Sequence, residues 1–405
     1  MTEENKSVKK FPNSGNIPKL RFFQFNNEWK NEKLGNLMTF KVTNSYSRDN
    51  LNYESGAVKN IHYGDIHTKF QTLFDLEKEN VPYINEDISL SRISEDFYCQ
   101  EGDIIFADAS EDLNDVGKSI EITNLNDEKL LSGLHTLLAR PQEDIFFKGF
   151  LGYLLKSNNV RNQIKREAQG SKVLSINVGR ISNIHLPFPS ILEQQKISEF
   201  LSLLDKRILY SMKIIEGLIT LKIQSRNKLF KQIIKDDYEA FMVEEILNYE
   251  QPTKYIVSNT DYSSDKSLIP VLTANKAFIL GYTNEDWGIY NKGKCIVLDD
   301  FTLDLKYVDF SFKIKSSAIK LLTPKNNIDL KFVFEYFSFL NLSSNEHKRH
   351  YISEIQPMLL NIPSIDIQNN ISNFLLKLDA KINLETELLN QFENQKKYLL
   401  QNLFV

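Results

Sequence analysis

The stretch of this sequence that comes closest to a catalytic centre is DDFTLDLK, residues 299–306. It spaces Asp300, Asp304 and Lys306 like the metal-binding carboxylates and the lysine of a nuclease. The spacing is tight, however, and the first half of the chain has no clean counterpart. We therefore interpret the stretch as an acidic turn followed by a strand. A self-sufficient nuclease that uses these three residues stays open as an alternative hypothesis.

Other patterns of catalytic chemistry are missing or incomplete. The sequence has no Walker A loop, no Rossmann glycine triplet and no Asp/Asn-Pro-Pro-Tyr tetrapeptide. It therefore lacks the usual backbone cradle for a nucleotide and the usual place to bind a flipped base. His347 and His350 are spaced for one face of a helix, but no third zinc ligand is evident. These motifs predict neither a nucleotide site nor a metal site.

Cationic side chains form one local cluster in each half of the chain, at corresponding places. Lysine and arginine grouped with Asn, Gln and Ser suit phosphate contact and the readout of base edges. Residues 196–235 are also basic, with nine Lys or Arg against three Asp or Glu. The candidate DNA-binding residues are Arg161, Lys165, Arg166, Lys172, Lys348, Arg349 and His350.

The strongest pattern in the sequence is an internal repeat with a shift of 174 residues. EQQKISEFLSLLDKRI, residues 193–208, matches IQNNISNFLLKLDAKI, residues 367–382, without a gap. Apolar residues in both copies alternate at four and three positions, which is typical of helices that pack as a coiled coil. Lys222 and Lys396 interrupt the apolar row at the same place in the two copies. We predict two helices of roughly 40 residues, ~60 Å long at 1.5 Å per residue.

The two helices are predicted to pack on each other. Each helix follows its own globular segment, so a pair related by a pseudo-two-fold axis must lie antiparallel. Ser190 and Ser364 are the predicted N-caps. The predicted interface residues are Ile197, Leu201, Leu204, Ile208, Ile215, Leu218, Ile371, Leu375, Leu378, Ile382, Leu389 and Phe392.

The globular segments are predicted to be mixed α/β. The β-rich runs GDIIFA, residues 102–107, and KCIVL, residues 294–298, occupy equivalent places, and LHTLLARP resembles AIKLLTP. The predicted fold is thus two α/β domains separated by a pair of long antiparallel coiled-coil helices, with an internal repeat. The predicted segments are a flexible tail 1–17, a first domain 18–189, a first helix 190–236, a second domain 237–363 and a second helix 364–405.

Composition sets broad limits on the class of protein. A chain of 405 residues with 41% apolar side chains exceeds the roughly 250 to 300 residues at which a single core stops growing. The net charge of −4 points to neither a nucleic-acid nor a membrane surface. Only two cysteines occur, and no apolar run approaches the ~18 residues of a membrane span. We expect a cytoplasmic protein that does not enter a membrane.

From about Pro18 onward the chain resembles the specificity subunits of Type I restriction-modification systems. PKLRF and EWKNEKLGNL resemble the usual opening of that family, and HYGDI and GDIIF resemble phrases of its target-recognition domains. LPFPSILEQQKISEFLSLLDKRI, residues 186–208, resembles its central conserved region. The chain departs from the pattern at Phe23, where a proline is common, and at residues 367–370, where IQNN replaces EQQK.

The resemblance implies a subunit without catalytic activity of its own. Its two target-recognition domains would each read one half of a bipartite, asymmetric site in double-stranded DNA, and the helix pair would fix the gap. The implied partners are two modification (methyltransferase) subunits and the restriction (translocase-nuclease) subunits. S-adenosylmethionine, ATP and magnesium would be used by those partners, with no cofactor bound by this chain. A structural adaptor whose coiled coil joins two proteins without DNA is the remaining alternative.

Overall fold

The computed structural model describes residues 8–10, 16–273, 278–344 and 348–405. The chain divides into two compact units. Unit 1 takes in the described residues up to Tyr210 together with Leu389–Val405, and unit 2 is Ser211–Leu388. Of the predicted tail 1–17, residues 1–7 and 11–15 lie outside the described ranges. Each unit contains both strands and helices, which confirms the predicted mixed α/β class.

Unit 1 is built from short strands and five short helices that precede a long one. Its strands are β1 Val8–Lys10, β2 Leu20–Phe22, β3 Lys30–Lys33, β4 Met38–Lys41, β5 Leu51–Asn52, β6 Lys59–Ile61, β7 Leu73–Asp75, β8 Tyr83–Ile84, β9 Ile104–Ala107, β10 Ala109–Ser110, β11 Ser119–Asn124, β12 Leu130–Ser132, β13 Thr136–Pro141, β14 Leu174–Ser175 and β15 His185–Phe188. Its helices are α1 Leu34–Leu37, α2 Tyr63–Thr68, α3 Phe150–Leu154, α4 Asn158–Glu167, α5 Val178–Ile181 and the first part of α6 Ile191–Lys235.

The largest sheet of unit 1 has the strand order β4-β13-β9-β11-β7. Its neighbours are antiparallel except for β11 and β7, which are parallel. Strand β9 is formed by the last four residues of the GDIIFA run. All four are buried, because the strand is continuously apolar and lies between two other strands. A second sheet has the order β12-β6-β8-β5 and carries the segments on either side of α2.

Unit 2 repeats part of this plan. Its strands are β16 Ala240–Met242, β17 Leu247–Glu250, β18 Ile269–Leu272, β19 Ile279–Thr283, β20 Cys295–Asp299, β21 Leu305–Val308, β22 Lys313–Ile314, β23 Ile319–Pro324 and β24 Leu359–Asn361. Its helices are the second part of α6, α7 Val243–Ile246, α8 Leu330–Leu340 and the first part of α9 Ile365–Asn402, whose last part belongs to unit 1. The order β17-β23-β20-β21 matches β4-β13-β9-β11 of unit 1. The predicted equivalence of the GDIIFA and KCIVL runs is therefore confirmed, because β9 and β20 hold the same place.

The long helices begin where the sequence predicts. Helix α6 has 45 residues and α9 has 38, and they start directly after Ser190 and Ser364. Of the twelve predicted interface residues, five are buried and seven are half-buried. The buried ones are Ile197, Leu201, Leu204, Ile371 and Leu375. Within the described residues, no helix is both long and apolar enough to cross a membrane.

The helices run in opposite directions within unit 1. Asp205 of α6 pairs with Lys396 of α9. Phe404 lies eight positions further along the chain and packs on Trp29, which contacts Glu193 near the start of α6. Advancing along α9 therefore means going back along α6, so the pair is antiparallel there.

Unit 2 shows the same direction from separate contacts. Lys222 of α6 pairs with Asp379 of α9. Phe230, later on α6, shares a core with Ile371, which is earlier on α9. The predicted antiparallel packing is thus confirmed in each unit by itself.

Candidate nucleic-acid interface

One buried glutamine ties the start of α6 to unit 1. The Gln194 amide donates to the carbonyls of Ile145 and Pro189, at 3.1 and 3.0 Å. Its oxygen accepts from the N–H of Phe147 at 2.9 Å. The helix start and the segment before α3 are therefore fixed to each other by a side chain whose polar atoms are all used.

Gln368 makes the same three bonds in unit 2. Its amide donates to the carbonyls of Asn327 and Pro363, at 3.3 and 2.9 Å. Its oxygen accepts from the N–H of Asp329 at 2.9 Å. Gln368 corresponds to Gln194 under the shift of 174, so the two helix starts are held alike although IQNN replaces EQQK.

A lysine and an aspartate join α6 to α9 in unit 1. Lys396 Nζ lies 2.5 Å from Asp205 Oδ1, and the Tyr153 hydroxyl donates to Asp205 Oδ2 at 2.8 Å. Both charged side chains are largely buried. The lysine that interrupts the apolar row of α9 therefore has its partner on the opposite helix.

In unit 2 the corresponding pair belongs to a larger network. Lys222 Nζ lies 2.6 Å from Asp379 Oδ1 and 3.1 Å from Glu335 Oε1. Lys331 also contacts both carboxylates, at 2.9 and 2.8 Å, and Arg226 lies 3.6 Å from Glu335. Burial acts to raise the pKa of Asp379, but the bonds from Lys222 and Lys331 keep it below its usual value.

The two lysine–aspartate pairs exchange roles between the helices. The shift of 174 carries Asp205 onto Asp379 and Lys222 onto Lys396. In unit 1 the aspartate is on α6 and the lysine on α9, and in unit 2 the reverse holds. One repeated sequence thus supplies both partners of both pairs, which is how two helices from one template form an antiparallel contact.

The predicted basic cluster of unit 1 is only partly open to solvent. The Arg161 guanidinium is directed inward and donates to three carbonyls of loop 114–117, at 2.8 to 2.9 Å. Burial lowers its pKa. Lys165 donates to the Asn114 side chain in the same loop, whereas Arg166 and Lys172 are exposed. Arg161 therefore holds a loop in place, and DNA contact by the cluster stays a prediction.

The predicted cluster of unit 2 is similarly engaged. Lys348 pairs with Glu354 at 3.2 Å, and the ring of the buried His350 lies 3.0 Å from the same carboxylate. Arg349 is half-exposed and lies 3.9 Å from Asp300. His347 lies outside the described residues. DNA contact by this cluster likewise stays a prediction.

The acidic stretch 299–306 has a structural role. Asp300 is buried, pairs with the buried Lys320 at 3.2 Å, and accepts the backbone N–H groups of His350 and Tyr351. Neighbouring Asp299 caps a turn between β20 and β21. The interpretation as an acidic turn followed by a strand is confirmed.

The nuclease alternative loses its metal ligands in this geometry. Asp304 is exposed and Lys306 is half-buried on β21, while Asp300 is committed to its ion pair. Across the described ranges, no group of three or more His, Cys, Asp or Glu side chains is placed to hold a metal ion. Asp300, Asp304 and Lys306 therefore do not form the centre that their spacing suggested.

Unit 1 also holds a cationic group that the sequence did not single out. Asp65 of α2 is buried, and its two oxygens contact Arg48 Nη1 at 2.7 Å and Lys69 Nζ at 2.9 Å. Lys69 also donates to the Tyr53 hydroxyl at 3.2 Å. Burial acts to raise the pKa of Asp65, but the bonds from Arg48 and Lys69 keep it below its usual value. We call these four residues the Asp65 cluster.

Aromatic rings lie next to the Asp65 cluster. The Tyr63 ring contacts the rings of His62 and His135, with centroids 4.6 and 5.3 Å apart. His62 caps α2 by accepting the N–H of Gly64 at 3.2 Å. Burial and the nearby charge of Arg48 lower the pKa of His62, which favours the neutral ring. The signal in the sequence was the i,i+4 pair of Asp65 and Lys69 within the HYGDI phrase and the residues after it.

Comparisons with known proteins show similarity to one class of protein. Residues 26–218 match the family model described as Type I restriction modification DNA specificity domain. The chain is 43% identical over 172 residues to the Type I restriction enzyme EcoR124I/EcoR124II specificity subunit of Escherichia coli. That match covers 39% of this chain and 42% of the relative, so it spans less than half of that protein's length.

More distant relatives match along nearly the whole chain. A putative type I restriction enzyme MjaX specificity subunit of Methanocaldococcus jannaschii is 23% identical over 430 aligned positions, which cover 96% of this chain and 95% of that protein. The crystal structure of the S subunit of a Type I restriction-modification system from M. genitalium shares the fold, with a TM-score of 0.63, 17% identity, and coverage of 96% and 99%. Residues 26–218 are thus similar to the DNA specificity domain of Type I restriction-modification systems, and the fold of the chain is similar to that of an S subunit.

Proposed function

We propose that this chain is the subunit that gives a Type I restriction-modification complex its DNA sequence specificity. Unit 1 and unit 2 each read one half of a bipartite, asymmetric site in double-stranded DNA. The helix pair sets the distance between the halves and docks two modification subunits. Half-sites read from one side of B-DNA lie about one turn, ~34 Å, apart.

The observation that carries this proposal is the exchange of the lysine–aspartate pair between the two long helices. The same lysine–aspartate contact joins the two helices in both units. The globular parts share a strand order but differ in most of their sequence. That combination suits a constant spacer that carries two different readers.

The proposal assigns the chemistry to partner subunits. This chain has no catalytic role, and S-adenosylmethionine, ATP and magnesium are used by the modification and restriction subunits. The complex acts on DNA in the cytoplasm. The chain contributes the choice of sequence and the arrangement of its partners.

Exchange of one reading domain tests the proposal. The chain is expressed with its modification subunit, and methylated adenines are mapped across the genome. Replacing residues 18–189 with the corresponding segment of a relative should change one half of the methylated motif and leave the other half and the gap unchanged. The matched control replaces residues 237–363, which should change only the other half. Methylation that ignores both exchanges, or a chain that does not bind DNA in a salt-dependent shift assay, contradicts the proposal.

A further inference from the structure

The Asp65 cluster differs from ordinary surface ion pairs in where its carboxylate lies. The Asp65 side chain is 1% exposed, whereas Arg48 and Lys69 are 44% and 51% exposed. The negative charge is therefore covered, and what meets the solvent is the outer part of two cations. With two cations for one carboxylate, the cluster carries a net charge of +1.

Another lysine in unit 1 provides a direct contrast. Lys129 is 54% exposed, close to the value for Lys69, and it too lies over a tyrosine ring. Its partner Glu95, however, is 80% exposed, so the two charges of that pair face solvent together. An incoming anion would meet a neutralised pair at Lys129 and an uncovered cation at Lys69.

The buried carboxylate also fixes the geometry of the cations before any ligand arrives. Long basic side chains lose rotamer freedom on binding, and this loss weakens association unless they are already ordered. Asp65 orders Arg48 from one oxygen and Lys69 from the other, and the Tyr53 hydroxyl adds a second contact to Lys69. Arg48 and Lys69 are therefore preorganised.

The neighbouring residues favour DNA over a protein as the ligand. Tyr53 is exposed next to Lys69, and Tyr63 lies between His62 and the exposed His135. Sequence-specific DNA surfaces combine two kinds of side chain. Cations contact the phosphates, and neighbouring polar or aromatic side chains reach the base edges.

We propose that Arg48 and Lys69 contact DNA phosphates at the half-site read by unit 1, and that Asp65 is the positioning residue for both. This proposal rests on the proposed function above and names the residues by which unit 1 engages DNA. Asp65 itself does not touch DNA, because it lies behind the two cations.

Salt dependence of binding tests the phosphate contacts. The full chain in complex with its modification subunits is titrated onto a duplex that carries the mapped motif, at several salt concentrations. The plot of log K against log salt has a negative slope, and each lost phosphate contact reduces the magnitude of that slope by about 0.9. Arg48→Ala and Lys69→Ala should each reduce the magnitude of the slope by about one, and Lys129→Ala, the matched control, should leave it unchanged. Each of the first two variants leaves Asp65 with one cationic partner, which favours folding.

Asp65→Asn separates positioning from simple electrostatics. Removing a negative charge near DNA should strengthen binding if only total charge matters. If Asp65 positions the cations, affinity for the motif should fall at least about fivefold while affinity for a scrambled duplex stays the same or rises. Tyr53→Phe removes only one contact to Lys69 and should give a smaller change in the same direction, with thermal unfolding as the check on folding.

Three outcomes would contradict either the proposal about the Asp65 cluster or the proposed function, and they can be told apart. Slopes for Arg48→Ala and Lys69→Ala that equal the slope of Lys129→Ala overturn the proposal about the cluster. Loss of assembly with modification subunits, while assembled complexes keep the wild-type slope, also overturns it and makes the cluster a protein contact. A wild-type complex that does not prefer its motif over scrambled DNA contradicts the proposed function instead.

Discussion

The two units hold the start of the same repeated helix in different ways. In unit 1, Arg21 makes two bonds of 2.7 Å to Glu193, and both side chains are only 2% exposed. The residue of unit 2 that corresponds to Glu193 is Ile367, which packs against an apolar core. Gln194 and Gln368, one position later, keep identical bonds. The matching glutamines therefore make the same attachment in both units, whereas Glu193 and Ile367 make attachments of different chemistry.

The sheets show the same contrast. Glu121 is paired with Ile104 on β9, and Tyr307 holds the corresponding place beside Ile296 on β20. The Glu121 carboxylate accepts N–H groups at the start of α3, including that of Gly152 at 2.6 Å. Tyr307 instead packs against α8 through an aromatic ring. The shared strand order therefore fixes where a helix docks, while the side chain at the docking point decides whether the contact is polar or apolar.

Breaking the ion pair at the start of α6 should have the largest effect. Arg21→Met leaves Glu193 buried without a cation and should destabilise unit 1 by about 3–5 kcal/mol. The double variant Arg21→Met/Glu193→Ile copies the apolar solution of unit 2 and should recover most of the loss. Urea unfolding followed by fluorescence measures this, because Trp29 is buried in unit 1 and Trp287→Phe removes the other tryptophan.

The absence of rescue would mean that the two solutions are not interchangeable. In that case the packing around Glu193, including Trp29 whose indole N–H lies 3.4 Å from it, depends on the carboxylate itself. Glu193→Ile alone serves as the control, since it leaves Arg21 buried without an anion and should cost about as much as Arg21→Met.

The contrast between Glu121 and Tyr307 predicts that unit 1 has a contribution of Glu121 to the pH dependence of its unfolding free energy that unit 2 lacks at the corresponding position. Burial outweighs the backbone N–H bonds and raises the pKa of Glu121 to about 7 from its ordinary 4.5. The folded state therefore holds this proton more tightly than the unfolded state, so stability falls as pH rises from 4.5 to 7. The contribution is roughly 3–4 kcal/mol at about 1.4 kcal/mol per pKa unit.

Glu121→Gln should flatten this part of the stability profile. The glutamine cannot ionise, so the difference in unfolding free energy between wild type and variant should change between pH 4.5 and 7 and stay constant above that interval. Trp29 fluorescence during urea unfolding at each pH provides the measurement. Parallel profiles for the two proteins would show that Glu121 is not the titrating group.

Local sequence patterns predicted the helices well and their polar partners poorly. The four-three alternation selected twelve residues that are all buried or half-buried in the structure, because helix periodicity is written along the chain. The same pattern showed Lys222 and Lys396 as interruptions of the apolar rows. Their partners depend on the register of the antiparallel helix pair, and aligning the two copies in sequence does not give that register.

The basic residues show the same limit of local sequence patterns. Arg161 lies at helical spacing with its neighbours, yet its partners are carbonyls of loop 114–117, which no periodic pattern connects to it. Arg48 and Asp65 are likewise brought together by tertiary structure, from either side of β5 and β6. Charge clusters in sequence therefore show which side chains are available, and only the fold shows which are already occupied.

The lysine–aspartate pairs give the smallest predicted effect and the sharpest comparison of the two units. Lys396→Met removes the cation next to Asp205, whose remaining partner is the Tyr153 hydroxyl. Lys222→Met removes one of three cations that face two carboxylates, so Lys331 and Arg226 still balance the charge. Lys396→Met should destabilise unit 1 by about 1 kcal/mol, and Lys222→Met should destabilise unit 2 by less.

Trp29 fluorescence reports the first change, and amide hydrogen exchange in α8 reports the second. Lys381→Met is the control, because its pair with Glu385 lies within one helix and Lys381 is largely exposed. A double-mutant cycle with Asp205→Asn should return most of the loss in unit 1 as coupling between the two residues. Equal losses for Lys396→Met and Lys222→Met would mean that the extra charges around Glu335 do not buffer the repeated pair. The network would then belong to the attachment of α8 rather than to the joint between the long helices.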